Sequence, residues 1–260
     1  MGINFFDKKN RYTYSMREVD DSWSETVQEI VNIKDKTVID IGCGGGNYTK
    51  KLIEMGAESV IGIDFSKEML EGAKENCIDY PNITFQIGNA IDTGLPDHSG
   101  DIILERALIH HLNVKELEKA FNEAFRLLNK NGTIIIQDRT PDDCLLPGTP
   151  NHIRGYFFEK FPELGKKETR RRHESAKVKN ALIAAGFNSI KEHTLWEIRK
   201  IYHSIQELEK DMLNRTGRSI LHDLTDDKLK ELVKYIKSQI DEQGEILEKD
   251  RWTIWTAKIF

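Results

Sequence analysis

Asp40-Ile-Gly-Cys-Gly-Gly-Gly-Asn47 decides how this chain of 260 residues is read. The segment grows out of Thr37-Val-Ile-Asp-Ile41, a β-rich apolar run, and passes into a helical pattern over Tyr48 to Met55 that Gly56 stops, as a glycine just past a helix end does. Glycines permit positive φ and let backbone approach a ligand closely, while the first turn of a helix offers N–H donors without partners of their own. The turn is therefore aimed at a nucleotide-type ligand. Spacing narrows the choice. A dinucleotide loop, G-x-G-x-x-G, wants glycine where Asn47 stands, and a phosphate loop ends in Gly-Lys-Ser/Thr, which does not follow here. What fits is D-x-G-x-G-x-G on Asp40, Gly42, Gly44 and Gly46.

Working outward, β-rich runs recur at Ser59-Val-Ile-Gly-Ile63, Ile83-Thr-Phe-Gln-Ile87, Asp101-Ile-Ile-Leu-Glu105 and Thr133-Ile-Ile-Ile-Gln137, with helical patterns at Lys67 to Cys77 and Val114 to Leu128 among them. Near-continuous apolar strands alternating with helices predict a parallel sheet covered on both faces. After a helical stretch over Ser175 to Ala185, a sixth run covers Ile190 to Ile201. Helical segments follow at Ile205–Asn214 and Asp226–Ile240, and a seventh strand over Arg251–Ile259 closes the chain. The expected fold class is α/β, a doubly wound, seven-stranded, mostly parallel sheet. Two long connections, 139–173 and 203–249, leave from the carboxyl edge, where ligands bind in open α/β sheets. They are expected to form a helical lid on a single domain spanning 1–260, with residues 1–35 as an N-terminal helical cover.

These motifs, in this order and at successive strand ends, resemble the class I S-adenosylmethionine-dependent methyltransferases over about residues 36 to 138. The resemblance implies a Rossmann-like sheet whose last strand is antiparallel, and S-adenosyl-L-methionine as cofactor. It implies that Asp40, Gly42, Cys43 and Gly44 curve around the cofactor's amino-acid and ribose portions, with Cys43 present for its small size. Gly46 serves close packing, since there is no pyrophosphate to cradle. Asp64, closing the second strand, accepts hydrogen bonds from both ribose hydroxyls, and Phe65 and Met69 follow it in the site. At Gly88-Asn89-Ala90-Ile91 the family usually carries Gly-Asp-Ala and reads the adenine amino group with the acid; Asn89 offers a carbonyl in its place. Arg106 at the fourth strand end, and Tyr14 and Arg17 in the N-terminal segment, complete the implied cofactor contacts. Phe125-Arg-Leu-Leu-Asn-Lys-Asn-Gly-Thr133 matches the family's approach to the fifth strand, with Asn131 in place of a glycine. Simpler readings stand beside these: Asp64 as a cap for the helix beginning near Ser66, and Tyr14 and Arg17 as a helix lead-in packed on the sheet.

Methyl transfer is an in-line displacement, so the protein mainly positions the acceptor and excludes water. An acceptor that carries a proton gains from a base working near neutrality, which makes His110 and His111, just past the fourth strand, the catalytic candidates; the alternative is a hydrogen-bonded structural role. The Asp/Asn-Pro-Pro-aromatic signature of base and glutamine N-methyltransferases is absent after the fourth strand, as is the cysteine a C5-pyrimidine enzyme needs. Beyond the fifth strand, Asp138 and Arg139 lie at the carboxyl edge, and His152, Arg154 and Tyr156 are candidates to line the lid. Arg139 or Arg154 would hold an anionic or polar small molecule, unless they form surface pairs near Asp142 and Asp143. Trp252 and Trp255 fall on opposite strand faces and read as packing.

Composition sets the outer bounds. The charge is −5, from 38 Lys+Arg and 43 Asp+Glu, and the sequence is 38% hydrophobic. Mean hydropathy is −0.53 and no apolar run is long enough to span a bilayer. The opening MGINFFDKKNRYTYS lacks the features of a signal peptide, so a cytoplasmic location is expected. Cys43, Cys77 and Cys144 are an odd number without ligand spacing, which predicts neither disulfides nor a metal site. The acidic balance argues against nucleic acid as partner. The run Lys166 to Lys179 holds seven Lys/Arg against two acids and is the feature a tRNA or rRNA substrate would want, but it reads better as a solvated helix face. The expectation is a methyltransferase acting on a small-molecule acceptor. A tRNA or rRNA methyltransferase, an NAD(P)-dependent oxidoreductase and a cofactor-binding protein without catalysis are the alternatives.

Overall fold

Strand β1 (Thr37–Ile41) sends Val38 to one side and Ile39 and Ile41 to the other, and all three are closed to solvent because the sheet is covered on both faces. The computed structural model describes residues 19–240 and 244–260 of the chain. Around β1 run β2 (Ser59–Asp64), β3 (Ile83–Ile87), β4 (Gly100–Arg106) and β5 (Leu128–Asp138), all parallel. The sheet is completed by β6 (Asn188–Tyr202) and β7 (Ile246–Lys258) in the order β3-β2-β1-β4-β5-β7-β6. Strand β7 is antiparallel to both of its neighbours, as the resemblance implies. The strand order reverses between β1 and β4, which opens a crevice at their carboxyl ends.

Helices α1 (Asp21–Ile30) and α2 (Asn47–Glu54) cover the face carrying Val38, Leu104, Ile135 and Trp252. Helix α3 (Lys67–Asn76) starts at Ser66, whose hydroxyl accepts from the Met69 N–H. On the other face lie α4 (Val114–Leu127) and α8 (Ser175–Ala184), packed on Ile39, Ile103, Ile136 and Trp255. Asn113 and Glu116 form a reciprocal capping box that fixes where α4 begins. Asn131 takes the left-handed conformation, φ 64°, that the family's glycine would take at this turn.

The two long connections pack on each other. The first holds α5 (Pro141–Cys144), α6 (Ile153–Lys160) and α7 (Pro162–Arg170); the second holds α9 (Ile205–Leu213), a 3-10 turn at Ser219–Asp223 and α10 (Asp226–Lys237). Phe157, Leu164, Leu208, Leu232 and Ile236 bury together as a core of their own. At its base, buried Arg218 donates to Asp211, Tyr202 and Glu248, and Arg199 reaches the same Glu248 carboxylate at 2.9 Å. The cationic run is largely absorbed by the fold: Lys167 pairs with Asp223, Arg171 with Glu168, Lys179 with Glu192, and Arg172 is buried. Among the described residues no helix is long and apolar enough to cross a membrane.

Candidate active site at the carboxyl edge

The glycine loop is pinned to the end of β2. The N–H groups of Gly42 and Cys43 both donate to the Ile63 carbonyl, Gly44 donates to Asp64 Oδ2 at 3.0 Å, and Gly46 donates to the Cys43 carbonyl. With these donors spent inside the protein, the loop is a poor cradle for a phosphate, which favours a cofactor without one. Gly42, Gly44 and Gly46 all have positive φ, at 79°, 54° and 79°. A Cβ on Gly46 would lie 3.1 Å from both Ala73 Cβ and Cys77 Sγ, so this glycine lets α2 sit against α3. Gly44 is the opposite case, with its nearest neighbour, Met69 Cε, 3.8 Å away. Cys43 is buried beside Gly62, and Asp40 is buried with the Thr49 hydroxyl donating to it at 2.6 Å. Burial raises the Asp40 carboxyl to about 6.

Asp64 stands at the mouth of this loop, its Oδ1 accepting from the Ser66 N–H at 2.9 Å. A carboxylate has about four acceptor positions, and the backbone N–H groups of Ser66, Gly44 and Phe65 engage this one without filling them all. Burial raises its pKa, against the backbone donors that hold it down. Around it are apolar side chains left open to solvent, Phe65 at 47%, Ile87 at 58% and Ile91 at 38%, with Ala90 buried behind. A diol acceptor flanked by exposed apolar surface suits a nucleoside, so the residues present fit the adenosyl cofactor. Asn89 departs from expectation. Its Oδ1 accepts from the N–H groups of Ile91 and Asp92 at 2.9 and 3.1 Å, so the carbonyl shapes the loop instead of facing a ligand.

The strand β4 ends in Glu105 and Arg106, which point to opposite faces. Arg106 donates to both oxygens of Glu197 at 2.9 and 2.7 Å and is stacked between Tyr48 and Trp252. Gln137 donates to the same Glu197 and accepts from the Trp23 indole, tying α1 to the site. Ala107 then turns the chain with φ 52°, a conformation alanine seldom takes, into the 3-10 turn Ile109–His111. Tyr14 and Arg17 lie outside the described residues.

His110 is brought to Asp138 at the end of β5, with its Nδ1 2.9 Å from Oδ2. The His110 backbone N–H reaches the same oxygen at 3.2 Å, and Arg172 donates to the other. Burial opposes ionisation of Asp138, but His110 and Arg172 hold its carboxyl well below the usual range. Burial brings His110 down to about 4 against the pull of Asp138, so at neutral pH the ring is uncharged. Its Nδ1–H then donates to the carboxylate and Nε2 keeps an open lone pair. His111 lies beside it, ring centroids 4.0 Å apart.

Both arginines expected to hold an acceptor are already committed to buried carboxylates, Arg139 to Asp250 at 2.8 Å and Arg154 to Glu168 at 2.8 Å. They are neither free anion ligands nor surface pairs with Asp142 and Asp143. Arg172 also donates to Glu168, and Arg139 stacks 3.6 Å from the Trp252 ring, so that tryptophan holds two arginines as well as packing. His152 is buried with Nδ1 3.0 Å from the Pro147 carbonyl and its ring edge-on to Trp196. Tyr156 belongs to the second core, against Gly148 and Tyr235. Sequence reasoning missed Arg172, Glu168 and Glu197: the Glu168–Arg172 pair is local but sits in a run read as a solvated helix face, and the contacts of Arg172 with Asp138 and of Glu197 with Arg106 span 34 and 91 residues. It also passed over Glu105, an acid that directly follows the apolar Ile102-Ile-Leu104 of β4, which was the one visible signal.

Residues 38–132 match the model of a methyltransferase domain. An uncharacterized methyltransferase of Anoxybacillus flavithermus is 34% identical over 122 residues, covering 47% of this chain and 56% of that protein. Phosphoethanolamine N-methyltransferase 1 of Zea mays is 26% identical over 240 residues, 90% of this chain and 44% of its own length. The chain thus spans about half the length of the curated relatives it matches. Among solved structures, a methyltransferase from an antibiotic biosynthesis pathway of Anabaena variabilis superposes with TM-score 0.63 at 20% identity, covering 89% of this chain and 96% of that one. Haemonchus contortus phosphoethanolamine N-methyltransferase 2, solved with phosphomonomethylethanolamine and S-adenosylhomocysteine, gives 0.60 at 15% identity, over 99% of this chain and 61% of that one. At these identities the structural likeness speaks to the fold.

Proposed function

We propose that this chain, whose residues 38–132 match a methyltransferase domain, is a class I S-adenosylmethionine-dependent methyltransferase that moves a methyl group from that cofactor to a small polar acceptor. The observation that carries the reading is the Asp138–His110 pair, set across the end of β4 from the glycine loop. Gly42 to Gly46, Asp64, Phe65, Met69 and Ile91 would hold the cofactor, with Asp64 taking the ribose hydroxyls. When bound, the cofactor would supply a methyl group on a positively charged sulfur, open to in-line displacement by an acceptor's lone pair with the sulfur as leaving group.

The chain's own residues do the rest. His110 Nε2 takes the acceptor's proton, while Asp138 keeps the ring in the tautomer that leaves Nε2 open and steadies the charge that forms. Arg172 and Glu168 lock Asp138 from behind. The two connections, read as a lid, exclude water from the transfer. Relatives that align along most of this chain bear the name phosphoethanolamine N-methyltransferase, which makes that amine the first acceptor to try.

The test supplies purified protein with S-adenosylmethionine and a panel of small amines and alcohols that begins with phosphoethanolamine, and follows S-adenosylhomocysteine. Acceptor-dependent product that disappears in His110→Ala supports the reading. Tight cofactor binding without turnover on any acceptor would make the chain a cofactor-binding protein.

A further inference from the structure

Glu105 is fully closed to solvent, and neither carboxyl oxygen has a hydrogen-bond partner. The other buried carboxylates of this edge are all engaged: Asp40 by Thr49, Asp64 by the glycine loop, Asp138 by His110 and Arg172, Glu197 by Arg106, Asp250 by Arg139. A buried carboxyl left alone is costly, so an orphan at a ligand edge points to a charge that arrives with the ligand. The nearby arginines cannot supply it, because each is paired elsewhere.

The position says which charge. Glu105 pairs in register with Ile41, the residue before Gly42, and on its other side with Ile136, two residues before Asp138. It therefore lies between the glycine loop and the His110–Asp138 pair. A cofactor held by the loop with its methyl group directed at an acceptor near His110 must carry its sulfur over the end of β4. We propose that Glu105 is the counter-charge beneath the cofactor's sulfonium, favouring the charged cofactor over its neutral demethylated product. This rests on the cofactor reading given above.

The surroundings of Glu105 suit that role. On its own strand Arg106 points to the opposite face; on β1 so does Asp40; on β5 Asp138 is neutralised by Arg172; on the 3-10 turn His110 is uncharged and His111 is beside it. His173 Nε2 is held by the carbonyls of Ile109 and Leu112. Helices α4 and α8 pack Leu117, Phe121 and Leu182 on this face; of their polar groups, buried Glu123 is taken by Thr93 and Arg126, and the Ser175 hydroxyl by the Trp255 indole. Burial alone lifts Glu105 to about 8, so the carboxyl holds a proton at neutral pH until a positive charge comes near. In so dry a setting charges act through space across the floor of the site without a direct hydrogen bond.

The test is calorimetry of the whole chain with S-adenosylmethionine and S-adenosylhomocysteine at pH 7, in buffers of different ionisation heat. Binding the charged cofactor is expected to release about one proton from Glu105 to the buffer, and binding the product none. Glu105→Gln is expected to abolish the release and weaken S-adenosylmethionine about tenfold while S-adenosylhomocysteine stays within about twofold. The wild-type proton count stands whether or not the variant folds. Equal weakening of both ligands, or no proton release by the wild type, overturns the proposal and leaves the cofactor reading intact. Failure of the wild type to bind either ligand overturns both.

Discussion

Asp138 and His110 are 28 residues apart in sequence, yet one carboxylate oxygen receives both the ring Nδ1–H at 2.9 Å and the backbone N–H of the same histidine at 3.2 Å. The double contact fixes the imidazole in position and in tautomer. Asp138→Asn should therefore lower the rate of transfer by about 100-fold or more, because the amide no longer selects the tautomer with an open Nε2. Cofactor affinity should stay unchanged in the same variant, which calorimetry checks.

His110 also sets a pH signature. Its pKa in the folded protein, about 4, lies below the ordinary value of 6.5. A histidine depressed in this way contributes stability that is present above 6.5 and is lost as pH falls through 4. The acid limb of the rate profile is expected near 4 instead of 6.5, and thermal unfolding should show the accompanying loss of stability.

Glu105 should do the reverse. Its folded pKa of about 8 lies above the ordinary value of 4.5, so the wild type gives up stability as pH rises from 4.5 to 8 and no more beyond. The melting temperature of Glu105→Gln relative to wild type is expected to rise across that window and level off above it. A constant difference at every pH would mean that the carboxyl is never titrated.

Asp64→Ala removes the acceptor proposed for the ribose and also frees the Gly44 N–H. Both adenosyl ligands should weaken by about 10- to 100-fold, corresponding to ~1.5–3 kcal/mol for a charged hydrogen bond. That equal loss separates Asp64 from Glu105, whose variant discriminates between the two ligands.

Arg218→Met would leave Asp211 and Glu248 sharing Arg199 in a buried setting. Breaking such a cluster on one side costs about 3 kcal/mol, to be read as a lower urea midpoint. Ala107→Gly acts in the opposite direction, relieving the left-handed strain at φ 52° for a gain of roughly 0.5–1 kcal/mol.

The parallel half of the fold was legible because strands buried on both faces must be apolar throughout, and glycines mark the turn where backbone nears a ligand. Strands β6 and β7 ran longer than their patterns implied, to Asn188–Tyr202 and Ile246–Lys258. The residues added to β7 include Glu248 and Asp250, charges that interrupt an apolar pattern yet are satisfied across the fold, as Glu197 and Lys200 are within β6. The glycine loop and Asp64, proposed to hold the cofactor, are written in short motifs at strand ends, whereas Asn89 turned inward to its own loop. The acceptor side rests on pairs such as Arg172 with Asp138 and Arg106 with Glu197, which only the folded chain brings together. The same reason explains why Arg139 and Arg154 looked free in the sequence.

The second connection leaves the sheet at Tyr202 and returns at Ile246, and these two residues stand opposite each other in the β6–β7 ladder. Its two ends are thus one strand spacing apart, the distance a tight hairpin turn bridges. The helices between them form an exchangeable cassette: evolution or an engineer can lengthen, shorten or replace them without disturbing the register of the sheet. Descendants of this scaffold could diverge in that cassette while inheriting the same glycine loop and sheet.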